Sequence, residues 1–321
     1  MKLGKRIGSF MLALAVIITL VMVPKFDSNA FVASPTFLYQ TGASANAISF
    51  KWTGTADAAA YDVIVRVQNA YGQVVASGTV PATQTSVSFN NVAKGVQYYA
   101  QVYAVKDGAR SSGYAHNYLY AMPLTPGDIY IDTWYQGKNN PYIRWAGAGS
   151  NTYNFTPSGY EVKITTLAGK KISTVSTYGT SLYKSMNKVK NAGFKISIRS
   201  YVNVSVGSGQ YARLYSDWSK AKAFVPGAKV KKAELIDNST GKLTWKKVKN
   251  AKSYTIYRKS GSKFKKVKTV KGTSTTLKKD YFLNGIIVAP NVKVKGKTYK
   301  STILKQKNVR YDKWYLRTRY Y

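Results

Sequence analysis

The sequence predicts an all-β chain of tandem Greek-key β-sandwiches behind an N-terminal leader, and three observations predict it. A tryptophan followed by a Tyr-x-hydrophobic pair occurs three times. Apolar residues alternate with polar ones around each copy, and the copies lie about one small sandwich apart. The chain has 321 residues, of which 45% are hydrophobic, and contains no cysteine. That length holds two or three domains with their own cores. Disulfides and thiolate metal sites are excluded, so stability must come from packing.

The leader comes first. Lys2, Lys5 and Arg6 precede an apolar run from Phe10 to Val23, and Ser28-Asn29-Ala30 offers the small residues that a signal peptidase reads. The expectation is a signal peptide over 1–30, cleaved after Ala30. The remainder is then a secreted, extracellular, cell-surface protein with no transmembrane segment in its mature form. An uncleaved anchor is the alternative, because Ile7 to Val23 nearly reaches spanning length; Pro24 and the small-residue site favour cleavage.

Beyond the leader, the first copy carries Trp52 and Tyr61-x-Val63, the second Trp145 and Tyr160-x-Val162, the third Trp245 and Tyr254-x-Ile256. The tryptophans are 93 and 100 residues apart, the length of a sandwich rather than of a short solenoid unit. Ile48, Phe50 and Trp52, and likewise Leu243 and Trp245, fall on one side of an extended chain. The runs TSVSF (85–89), SLY (181–183) and TTL (275–277) each precede a longer strand-like run, such as VQYYAQVYAV or GFKISIRSY. Each copy thus reads as about seven short strands.

These residues resemble the fibronectin type III family. The resemblance rests on the tryptophan of the second strand, the Tyr-x-hydrophobic strand after it, the aromatic-rich YYAQVYAV and the closing YSDWS at 215–219. It covers three modules, 31–123, 124–227 and 228–304, followed by a basic aromatic tail over 305–321, in a secreted protein of bacterial type. It implies that Trp245, Tyr254 and Ile256 face a core. In the third copy the usual tyrosine pair is missing from YFLNGIIVAPNVKVKGKTYKS, and Pro290 is expected to interrupt its strand.

Catalysis finds little support. His116 is the only histidine, so neither a histidine-based triad nor a zinc site can be assembled, and it is expected at the surface. Asp62 and Glu161 directly follow the repeated tyrosines, with Thr255 in that place in the third copy; a recurring outward strand position explains them better than a carboxylate pair does. Ser-x-x-Lys recurs along the chain, as chance supplies where both residues are abundant. Gly-x-Gly-x-x-Gly, Walker and calcium-loop motifs are absent. The chain is read as no enzyme, without cofactor or metal.

Charge is the strongest signal. The chain carries 49 Lys plus Arg against 12 Asp plus Glu, a net +37. Residues 31–123 carry +2, 124–227 carry +9 and 228–321 carry +23. Folding does not demand this gradient, since the first copy manages without it. Lys263, Lys265, Lys266 and Lys268 surround Phe264 and Val267; Lys293, Lys295 and Lys297 continue on a late hairpin; Arg310, Arg317 and Arg319 stand among aromatics near the end. Together they read as a charged collar that binds polyanions. Lysine suits poorly ordered anionic polymers, whereas sequence-specific nucleic-acid readout favours arginine on a groove-entering element. The function expected is therefore non-catalytic adhesion to an anionic cell-wall polymer or acidic glycan, with other surface proteins as further partners. The alternative is a polysaccharide-binding accessory protein that uses exposed aromatics, as 27 tyrosines exceed what three cores need.

Overall fold

A computed structural model describes residues 31–68, 72–135, 140–148, 155–185, 193–305 and 308–310; the leader expected over 1–30 lies outside them. The regular structure of the described chain is almost wholly antiparallel strand. It forms two compact bodies, one running to Leu119 except for segments 43–46 and 91–97, the other from Tyr120 onward together with those segments.

The first body is built on strands β1 (Thr36–Ala43), β2 (Ala47–Thr53), β3 (Ala60–Val67), β4 (Val74–Pro81), β5 (Ser86–Asn90), β6 (Gln97–Lys106), β7 (Ala109–Arg110) and β8 (Ala115–Tyr120). One sheet has the order β1-β2-β5; the other has β4-β3-β6-β7, with β8 also paired to β6. Alternation decides which side of each strand is buried. Tyr61, Val63 and Val65 of β3 and Tyr98, Ala100, Val102 and Ala104 of β6 point inward, with polar or half-buried neighbours between them.

The second body repeats this plan twice. Strands β9 (Gly127–Tyr135), β10 (Tyr142–Ala146) and β13 (Ser181–Tyr183) form one sheet, in the order β13-β10-β9. Opposite it lie β12 (Lys171–Thr177), β11 (Gly159–Thr166), β14 (Phe194–Gly207) and β15 (Gln210–Tyr215), with β16 (Lys222–Phe224) on β14. The next sandwich has β17 (Val230–Leu235), β18 (Thr240–Trp245) and β21 (Ser274–Lys278) facing β20 (Lys263–Val270), β19 (Ala251–Ser260), β22 (Ile286–Val294) and β23 (Lys297–Lys300), each sheet in that order.

One side-chain unit recurs in all three cores. Trp52 meets Tyr61, Trp145 meets Tyr160 and Trp245 meets Tyr254 edge to face, with ring centroids 5.4, 5.7 and 5.4 Å apart. Such pairs contribute about 0.5–1.5 kcal/mol beyond the area they bury. Each tyrosine hydroxyl also accepts a backbone N–H from the loop joining the two strands: Thr55 N at 2.8 Å, Ala148 N at 3.4 Å and Val248 N at 2.8 Å. In the first copy the hydroxyl comes so close that a Cβ on Gly54 would overlap it. Tyr254 and Ile256 are buried with Trp245, as the sequence predicts.

The third sandwich departs from expectation in two places. A helical turn, α1 (Asp280–Asn284), replaces extended chain and drives Phe282 fully into the core. Pro290 does not interrupt its strand. Val288 gives its carbonyl to Ala228 N, on the side away from β19, and Pro290, two residues on, shares that side. There the ladder with β23 begins only at Asn291, so the donor that proline lacks has no strand to serve.

The second and third sandwiches are bonded to each other. Val225 N donates to Thr302 Oγ1 and Thr302 N to Val225 O, while Ser301 Oγ reaches the carbonyls of Val225 and Pro226. Leu167, from the turn after β11, packs into the third core. The chain then leaves a 3-10 turn (Ile303–Lys305) and returns to the second sandwich as β24 (Asn308–Arg310), parallel to β9. The segment read as a tail thus supplies a strand.

Replacing Trp145 with Ala should destabilise the second body by about 3–5 kcal/mol. Trp145→Phe should cost less, because it keeps a ring while removing an indole N–H that is buried without a hydrogen-bond partner. In denaturant unfolding, one transition should move and that of the first body stay. A shift of both by the same amount would contradict the division into two bodies.

Candidate polyanion interface

Acidic side chains set the background against which the lysines act. Asp62 on β3 takes Arg110 Nε at 2.6 Å and the Thr79 hydroxyl at 2.5 Å. Glu161, its counterpart on β11, takes both Nε and Nη2 of Arg199, at 3.0 and 2.7 Å, and the Tyr215 hydroxyl at 3.1 Å. In the third copy Thr255 holds this position and meets Thr269 and Asn291 instead. The recurring carboxylate is a cross-strand tie, and the third sandwich dispenses with it.

The second sandwich uses much of its charge internally. Arg199 lies over Tyr215 at 3.6 Å and Trp218 at 4.6 Å, Lys163 covers Trp218 at 4.2 Å and Arg213 covers Tyr201 at 4.3 Å. Within YSDWS, the Ser216 and Ser219 hydroxyls accept Ser200 N and Ile198 N of β14. Trp218, read from sequence as part of a core pattern, is half-buried between cations on the outer face of the sheet.

The third sandwich has fewer such contacts among its described residues, Arg258 over Tyr281 at 4.8 Å being one. Lys263, Lys265 and Lys266 are exposed on β20, an edge strand, where Phe264 packs outward against Ile287 and Ala289 while Val267 and Val270 pack inward. A register shift opposite Ile256 and Tyr257 pairs Lys266 with Tyr257 and Lys268 with Ile256, residues of opposite faces. Lys268 is not left to water alone: its ammonium donates to Thr276 O of the facing sheet at 2.7 Å. Lys293 and Lys297 are exposed on the β22–β23 hairpin, whose tip, Lys295-Gly296, has φ of 48° and 76°, the left-handed pair that a two-residue hairpin requires. The backbone of Arg310 lies on β24, beside the second sandwich; Arg317 and Arg319 lie outside the described residues.

The junction brings together lysines that sequence spacing does not connect. A groove of about 600 Å³ runs between the second and third sandwiches, lined by Lys220, Lys222, Lys297, Lys300 and Lys305, with Asp128 its one acid. Among the described residues, none of the five lysines has a carboxylate within ion-pair distance. Tyr299 lines the same groove, with Lys195 Nζ 5.6 Å and Lys297 Nζ 5.5 Å from its ring centroid. Of the residues nominated from sequence, only Lys297 belongs to this group; the others come from strands and turns of two sandwiches.

In all three sandwiches the first, second and fifth strands form one sheet and the fourth, third, sixth and seventh the other. Each sandwich thus has a fibronectin type III-like fold. No family model matches the sequence, and no curated protein matches it. Similar solved structures include the FN1–FN3 domains of chicken CNTN1, at 12% identity and a TM-score of 0.29, covering 84% of this chain and 96% of that one. A two-domain fibronectin type III segment of chicken tenascin has 16% identity and a TM-score of 0.31, covering 60% and 99%. A fibronectin type III domain of human collagen XX has 18% identity and a TM-score of 0.25, covering 30% and 96%.

The first fibronectin type III-like module carries a different surface. Tyr99 packs against His116 and Tyr118, and Tyr114 against Tyr103 and His116, at centroid distances of 4.9–5.7 Å. His116 is exposed, as expected. Burial and a hydrogen bond with Tyr114 push the Tyr99 hydroxyl up to about 12, so it stays neutral at physiological pH.

Two acids of the third module are committed to local structure. Glu234 pairs with Lys232. Asp237 accepts the N–H and hydroxyl groups of both Ser239 and Thr240, which bend the chain from β17 into β18 and hold its carboxyl down at about 2. A depressed carboxylate stabilises fully above its unfolded value of 3.8 and loses that contribution as pH falls through its folded value. The stability gap between the wild type and Asp237→Ala should therefore be constant above about pH 5 and narrow towards pH 2 in thermal melts. A gap independent of pH would refute the role of the charged form.

Proposed function

We propose that this is a secreted, non-catalytic binding and adhesion protein, attached to anionic polymers of a cell wall or host glycan through its basic C-terminal module. The observation that carries this reading is the unneutralised charge of the third module. Residues 228–321 carry +23, yet Lys232–Glu234 is the one ion pair among their described residues. Lysines held apart from carboxylates are available to counterions, and a polyanion that displaces those counterions gains their release. Secretion rests on the leader pattern. Among the described residues no helix is long and apolar enough to cross a membrane.

The test compares the first module with the rest of the chain. Residues 124–321 should bind purified anionic wall polymer or heparin, and residues 31–123, at +2, should not. Binding should weaken steeply as salt rises through the physiological range, where the screening length is about 8 Å. Equal binding by both halves at physiological salt would remove the charge gradient as the determinant.

The tyrosine and histidine cluster of the first module favours a second reading, in which exposed rings stack on a neutral polysaccharide. Binding of that kind would reside in residues 31–123 and survive high salt.

A further inference from the structure

We propose that the groove between the second and third modules seats one segment of a phosphodiester-linked chain that lacks bases; this rests on the polyanion reading and adds to it a site and a polymer class. Three observations converge. First, five lysines and one acid line a space of about 600 Å³, enough for a short stretch of polymer rather than a lone ion. Second, the walls are fixed before any ligand arrives. Backbone and side-chain bonds join Val225 and Pro226 to Ser301 and Thr302, and β24 ties the end of the third module back to β9. A site assembled in advance loses little binding energy to ordering.

Third, the lining selects among anions. It contains lysine and no arginine. Ammonium groups act as point charges that suit phosphate, while the planar fork that reads carboxylates in two-point contacts is missing. Nucleic acid shares the phosphate but also needs platforms on which bases stack. Tyr299 is the one aromatic in the lining, and two ammonium groups already engage its ring. The occupant that fits is a flexible chain of phosphodiesters joined by small polar units.

The experiment uses the chain from Phe31 onward, which contains every described residue, with poly(glycerol phosphate) as the probe. Lys220→Gln, Lys297→Gln and Lys300→Gln combined should lower affinity at least tenfold and reduce the slope of log K against log salt by about 2, at roughly 0.7 for each phosphate that is no longer neutralised. Lys242→Gln, Lys271→Gln and Lys278→Gln combined make the same change of charge outside the groove and should lower affinity less than threefold. All six side chains are exposed, so both variants should keep the wild-type melting temperature within a few degrees. Equal weakening by the two variants would overturn the groove and leave the polyanion reading intact. A wild-type chain that binds no polyanion would overturn that reading itself. Polygalacturonate and oligothymidine of matched charge should bind more weakly; if either matches poly(glycerol phosphate), the assignment of polymer class is wrong.

Discussion

The tryptophan–tyrosine pair is the contact on which each module depends. It joins the two sheets across the core, since tryptophan stands on the second strand and tyrosine on the third, in the opposite sheet. The tyrosine hydroxyl then holds the loop between those strands by a backbone N–H, so one side chain fixes both the packing and the crossover. A chain without cysteine needs such a device, because no covalent link limits how the sheets slide. The unit has a cost: Nε1 of all three tryptophans is buried without a hydrogen-bond partner. That the indole is used three times nonetheless indicates that its contact area outweighs the missing hydration.

This explains why the fold was legible in the sequence. The Trp and Tyr-x-hydrophobic signals mark the two strands whose side chains meet, and alternation assigns the rest of the core. The third module's ending was less legible because its two unusual features are set by tertiary context. Phe282 reaches the core from a helical turn, which a search for strand alternation passes over. Pro290 is tolerated only because the neighbouring ladder starts one residue later, and no local pattern reveals where a partner strand begins. The β24 pairing was hidden for the same reason, as its partner β9 lies more than 170 residues away.

The candidate site was legible as a quantity and not as a place. Composition identified an excess of lysine in the last third of the chain, and the strand pattern put Lys263, Lys265 and Lys266 at the surface. It could not distinguish a cation in use from one without a partner. In the second module Arg199, Arg213 and Lys163 are engaged by aromatic rings and by Glu161. At the junction Lys220 and Lys222 meet Lys297, Lys300 and Lys305 only because the two modules are bonded together.

Edge protection offers a competing account of the basic charge, and its reach can be judged strand by strand. An exposed edge invites pairing with another chain, and lysines blunt that tendency. β20 and β23 are the two edges of the third module's larger sheet, so this purpose accounts for Lys263, Lys265, Lys266, Lys297 and Lys300 without a ligand. It does not account for Lys305, which sits on the 3-10 turn, or for Lys220, which precedes β16. Neither guards an open ladder, yet both face the same groove as the edge lysines of β23. Placing like charges around one concavity raises the free energy of the folded protein through their mutual repulsion. An anion laid in that concavity removes the repulsion, and protection of edges gives no reason to concentrate it there.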